Sequence, residues 1–154
     1  MALNREVNAM KNKSNYENHP ELDKLQHVVF YVNDLQESQR FYEMIFDVQC
    51  SAAAHPDSSA AMRIVGNTMK FFSFGYYHHD ICLVQNPKVT IDHEQWNHYT
   101  LKLANGVSLD EVKRRLESSH VPYFEGRMLP ILLNEKENVI HFKDPNGHVI
   151  EVVE

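Results

Sequence analysis

From Leu25 onward, short apolar runs alternate with two longer segments of helical period, and the order of these elements occurs twice. "LQHVVFYV" (25–32) is β-branched and aromatic, which predicts a strand. "NDLQESQRFYEMIF" (33–46) carries Leu35, Phe41, Tyr42 and Ile45 on one stripe, and Asp34 with Glu37 has the capping-box spacing of a helix start. Strands are then expected at Val48–Ser51, Met62–Val65, Met69–Phe74 and Asp80–Gln85, with "SAAAHPDSSAA" as a loop between the first two. "NHYTLKLA" (97–104) opens the second round as a strand. The spacing predicts a helix over "SLDEVKRRLESS" (108–119), with Ser108 and Glu111 as capping box and Val107 and Val112 as hydrophobic staple. "VPYFEG", "MLPILL", "NVIHFK" and "HVIEVV" are the remaining strands. Each half reads β-α-β-β-β. Two copies of roughly 70 residues are too long and too few for a solenoid, so the pattern predicts a duplicated α+β module inside one domain. The modules run from about 25 to 86 and from 96 to 154. Residues 1–24 are polar and aperiodic and predict a loose N-terminal arm.

A chain of 154 residues suits a single domain with its own core. The net charge of -6, with no basic stripe, argues against a nucleic-acid partner. The densest basic cluster, Lys113-Arg114-Arg115, falls on the second helix and reads as a solvated face. Two cysteines, Cys50 and Cys82, without a CxxC motif, make no disulfide framework and suggest a reducing, cytoplasmic setting. No apolar run has the length of a signal peptide core or a membrane span, so no membrane partner is expected. Ten histidines are a surplus for this length, and they direct attention to metal chemistry.

Laying the halves over each other puts His27 on His98, both near the start of a first strand. "HDICLV" (79–84) falls on "GHVIEV" (147–152), so that Glu151 lies opposite Leu83. Glu151 sits inside the β-branched run Val149, Ile150, Val152, Val153. A lone carboxylate in such a strand costs several kcal/mol unless something pairs with it or binds it. If the copies are related by a pseudo-twofold, two histidines and one glutamate converge, a donor set that suits Fe(II), Mn(II) or Zn(II), and a bound ion would neutralise Glu151. A histidine at a strand start is more often a surface or hydrogen-bonded residue, and a glutamate in a last strand often faces water, so spacing alone leaves both readings open. Leucine at the fourth position would leave three protein ligands and open coordination positions, as a chelating substrate plus dioxygen require at iron.

The paired modules, "LQHVVFYVNDLQESQRFYEMIF", "WNHYTLKL" and above all "DPNGHVIEVV" resemble the vicinal oxygen chelate superfamily over about residues 25–154. That superfamily includes glyoxalase I, bleomycin-resistance proteins, fosfomycin thiol transferases and extradiol dioxygenases. The resemblance implies two paired βαβββ modules forming a cupped mixed sheet around a central cleft. "FFSFGYYHHDICLVQ" is similar to the corresponding stretch of small extradiol-dioxygenase-like members. It implies Fe(II), with Mn(II) or Zn(II) as alternatives, on His27, His98 and Glu151. It also implies His79 as acid/base, and a catechol-like substrate cleaved with dioxygen. Phe72, Phe74, Tyr76, Tyr123 and Phe124 are candidates for an aromatic wall, or for ordinary sheet core. His141 stands where extradiol enzymes commonly carry a catalytic tyrosine; it can still donate a hydrogen bond. The alternatives are another metal enzyme of the fold, such as a thiol transferase or isomerase, and a metal-free protein that sequesters a small molecule. A homodimer is compatible with either.

Overall fold

The structure is a computed structural model, and it describes residues 25–75, 78–90, 92, 94, 98–126 and 138–154. The N-terminal arm, the "MLPILL" segment and Tyr76 lie outside the described residues. Module 1 comprises β1 (Val28–Val32), α1 (Leu35–Phe46), β2 (Cys50–Ala54), the short helix α2 (Ala60–Val65), β3 (Met69–Phe72) and β4 (Ile81–Gln85). Module 2 comprises β5 (His98–Lys102), α3 (Leu109–Ser118), β6 (Tyr123–Glu125), β7 (Val139–Lys143) and β8 (Val149–Val153). The strands form two four-stranded mixed sheets, ordered β1-β4-β3-β2 and β5-β8-β7-β6. In each, the first strand is an edge that runs parallel to the last strand of its module. The duplicated βαβββ architecture is therefore as expected.

The helices start and stop where their chemistry says. Asp34 caps α1, its carboxylate accepting from Gln36 N and Glu37 N at 2.9 Å each. Ser108 stands at the N-cap of α3 without a side-chain bond to the helix, so the expected capping box does not form there, and Val107 remains exposed. The expected strand at Met62–Val65 is the helix α2 instead. Ser59 accepts from Met62 N at its start, and Gly66, at φ 73°, closes it in the left-handed conformation that glycine tolerates.

Strand alternation divides each sheet into two faces. Val32, Ile81, Leu83 and Phe72 of sheet 1 and Ile140, Phe142, Ile150 and Val152 of sheet 2 belong to one buried cluster. Phe41, Tyr42 and Ile45 of α1 and Leu109, Val112 and Leu116 of α3 fill the same cluster. The modules thus share a single core on their helix-covered faces. Burying each such side chain stabilises by roughly 1.5–3 kcal/mol.

The turn Asp144-Pro145-Asn146-Gly147 bolts the modules together. Asn33 N donates to Asn146 Oδ1 at 2.8 Å, and Asn146 Nδ2 donates to Ser38 Oγ at 2.9 Å. Tyr42 reaches Asp144 Oδ2 at 3.2 Å and shares a 2.6 Å hydroxyl contact with Tyr99. Burial, reinforced by Asp144, pushes both phenols above their ordinary pKa. Asn146→Ala strands the Asn33 amide and one lone pair of Ser38. Its expected cost is about 2 kcal/mol, read as a lower urea midpoint with an unchanged m-value. A change below about 0.5 kcal/mol, the range of ordinary surface substitutions, would mean that this side chain does not hold the modules together.

The basic triplet of α3 is neutralised locally: Arg115 pairs with Glu111 at 2.7 Å, Lys113 with Glu125 at 3.0 Å and Arg114 with Glu111 at 3.6 Å. Among the described residues no helix is long and apolar enough to cross a membrane.

Candidate metal centre

The buried charge on β8 is held by donors from both neighbouring strands. Parallel pairing sets Thr100 beside Glu151 and His98 beside Val149; antiparallel pairing sets His141 opposite Glu151. Thr100 Oγ1 donates to Glu151 Oε1 at 2.7 Å, and His141 Nε2 lies 2.7 Å from Glu151 Oε2. Glu151 and His141 are both buried. The ring of Phe124 stacks on His141 with centroids 4.7 Å apart and an interplanar angle of 11°. His98, two residues before Thr100 on the same face of β5, is exposed. His98 and Glu151 therefore offer an imidazole and a carboxylate from one face of sheet 2.

Module 1 supplies a histidine cluster. His27 directly precedes β1, where Val28 N donates to Asp80 O at 3.0 Å and draws the start of β1 against the approach to β4. The His27 ring lies 4.6 Å from that of His79, and His79 packs on Phe71 at 4.9 Å. His79 Nδ1 faces His78 Nδ1 at 2.8 Å, which leaves Nε2 as its nitrogen for proton transfer. Desolvation first, then the neighbouring His27 and His78, lowers the pKa of His79 below the ordinary histidine value. A neutral imidazole beside a potential ligand has the makings of a general base.

The hydrogen-bond ladders correct the internal alignment. Phe72 pairs with Ile81 in module 1 as Phe142 pairs with Ile150 in module 2. The residue equivalent to Glu151 is therefore Cys82, cross-strand from Phe71, and not Leu83. Leu83 is wholly buried on the core face of β4, where it contributes packing and says nothing about coordination. Cys82 is buried on the opposite face, and burial pushes its thiol pKa up. Sequence reasoning also passed over Thr100; its signal was its position two residues after His98 on a strand.

The three proposed ligands do not meet within one chain. His27, Val29 and Tyr31 line the face of β1 turned away from the core, and Val29 and Tyr31 are exposed. His98, Thr100 and Glu151 lie on the corresponding face of sheet 2. On its other side each sheet packs into the shared core. Among the described residues no three His, Cys, Asp or Glu side chains gather closely enough to hold an ion. The candidate ligands thus lie as two half-sites, one on the non-core face of each sheet. The aromatic wall changes as well. Phe72 is core, and Tyr123 packs partly against it with its hydroxyl on Glu117. Phe74 and Phe124 are exposed. By donor chemistry the set still fits a divalent first-row ion, since two neutral imidazoles and one carboxylate leave a single positive charge.

The fold agrees with what similarity shows. The chain belongs to the glyoxalase/bleomycin resistance protein/dioxygenase superfamily, whose sequence profile matches residues 24–152. No curated protein sequence matches significantly. Among solved structures, a single-residue mutant of the fosfomycin resistance protein FosX from Listeria monocytogenes, complexed with Mn(II) and 1S,2S-dihydroxypropylphosphonic acid, is 19% identical. That match covers 86% of this chain and 92% of that one, with a TM-score of 0.62. FosX from Mesorhizobium loti is 20% identical over 86% of this chain and 91% of its own, at a TM-score of 0.60. A glyoxylase/bleomycin resistance protein/dioxygenase domain from Frankia sp. EAN1pec is 18% identical over 86% and 97%, at 0.63. At these identities the likeness is one of fold.

Proposed function

We propose that this protein is a divalent-metal enzyme acting on a small substrate with two vicinal oxygens, and that its reaction is extradiol-type cleavage of a catechol-like ring. The observation that carries this reading is the contact of the His79 ring with His27 at 4.6 Å, which sets a neutral base beside a metal-ligand candidate. His27, His98 and Glu151 would hold the ion, Fe(II) by preference and Mn(II) as the alternative. Because their faces point outward, His27 comes from one chain and His98 with Glu151 from a second copy. A twofold dimer then makes two equivalent centres. The exposed Val29 and Tyr31 beside His27 support a face that a second chain covers. The Mn(II) and dihydroxy compound in the Listeria protein support the same pairing of ion and vicinal oxygens.

When bound, the ion would fix both substrate oxygens and ease the loss of a hydroxyl proton. His79 Nε2 takes that proton and later returns it to the ring-opened product, which retains both atoms of dioxygen. Phe71 backs the His79 ring and limits the water around it.

The test is elemental analysis of anaerobically purified protein, followed by oxygen uptake with a panel of mono- and bicyclic catechols. One ion per chain and uptake with a ring-cleavage absorbance are expected. Iron-loaded protein that consumes no oxygen with any catechol ends the dioxygenase reading. Loss of fosfomycin in a parallel arm would then put the protein with the resistance enzymes.

A further inference from the structure

We infer that His141 is a positioning residue that acts through Glu151: its Nε2 holds the carboxylate in the one orientation in which an ion on His98 can be bound. This rests on the metal reading above. The argument begins with what Glu151 would do without its partners. A glutamate side chain turns about three bonds, and it lies on a strand whose neighbours offer apolar surface at Val149 and Val153. Two donors from opposite sides remove that freedom. Thr100 on β5 takes Oε1, and His141 on β7 takes Oε2, each at 2.7 Å. The carboxylate plane is then defined by strands on both flanks. Each oxygen keeps a second lone pair for a cation.

The donor at Oε2 is a ring nitrogen and not mere packing. A carboxylate only accepts, so His141 Nε2 carries the hydrogen. Among the described residues, His141 Nδ1 is left buried without a hydrogen-bond partner. A phenylalanine in that place would stack on Phe124 equally well but would leave Glu151 Oε2 without its donor. The ring is kept although its second nitrogen has no partner among the described residues. What the imidazole adds over a phenyl ring is the hydrogen bond to Glu151. His141 therefore touches neither ion nor substrate in this role, unlike the tyrosine that the resemblance sets at its position.

The experiment uses the full-length protein and three variants. Mn(II) dissociation constants are measured by the EPR signal of free ion, and the Co(II)-loaded forms are compared by their d–d spectra. His141→Phe should weaken Mn(II) binding on the order of 10- to 100-fold, as loss of such a partner does elsewhere. His141→Gln, whose amide nitrogen falls near the Nε2 position, should stay within about threefold of wild type, with the wild-type Co(II) bands. His141→Asn, one methylene shorter, should behave like the phenylalanine variant; the Gln and Asn pair decides the matter even if His141→Phe does not fold. Equal affinity in all variants overturns the inference, and so does equal loss in Gln and Asn. If wild type itself binds no divalent ion, the proposed function fails with it; if wild type binds and the variants do not separate, only the role of His141 falls.

Discussion

His79→Ala should lower kcat/KM on the order of 10²- to 10⁴-fold, the usual worth of a positioned acid/base, while the protein keeps its ion. The base lies against His27 but outside the donor set, so its removal takes away proton handling and leaves coordination whole. Its lowered pKa has a definite consequence for pH. Only the neutral ring accepts a proton, and depressing the pKa extends the neutral form to lower pH. The acid limb of wild-type kcat/KM should therefore fall below the ordinary histidine value of 6.5. The variant's residual rate should lack that limb. Wild-type turnover in His79→Ala would remove this residue from the mechanism. Loss of the ion would make it a ligand instead.

Mixing two dead variants should restore metal binding. His27→Ala and Glu151→Ala each break both centres of a twofold dimer. A mixed dimer concentrates both lesions in one centre and leaves the other intact. Random reassortment after co-refolding gives half mixed dimers, so the sample should regain about a quarter of wild-type metal. The basis is that each half-site lies on a non-core sheet face, and that among the described residues no three donors gather in one chain. A site contained within one chain predicts no recovery at all, and monomeric wild type in sedimentation would rule out the shared centre directly.

The period-two pattern and the repeat made the two βαβββ modules legible, together with most strands to within a few residues. The pattern missed where the signal was thin. Met62, Ile64 and Val65 are apolar enough for a strand, yet a serine cap and a glycine stop wind six residues into α2 and leave Ile64 in solvent. The internal alignment slipped because the stretch from Phe72 to Ile81 is one residue longer than that from Phe142 to Ile150. A single-residue slip exchanges the two faces of a strand, so Leu83 took the position that belongs to Cys82. Alternation also identifies which residues share a face, but not which faces meet. His27 and Glu151 could be assigned to non-core faces from sequence. How those faces sit relative to each other depends on α1 and α3 packing into one cluster, which no local pattern encodes. The partnership of His141 with Glu151 was hidden for a related reason, since it depends on the β7–β8 register.

The position of β8 governs when this protein can fold. It is an interior strand, between β5 and β7, although some fifty positions of sequence separate it from β5. The turn that leads into it also holds Asn33 and Ser38 across a separation of more than a hundred residues. Until residues 144–153 have left the ribosome, β5 and β7 have no neighbour on one side and α1 has no clasp. Sheet 2 must therefore assemble together, and only once β8 has been made. Contacts of such long sequence separation slow folding and prolong the exposure of unpaired strand edges. During synthesis it is the gap between β5 and β7, still lacking its central strand, that a chaperone would need to shield.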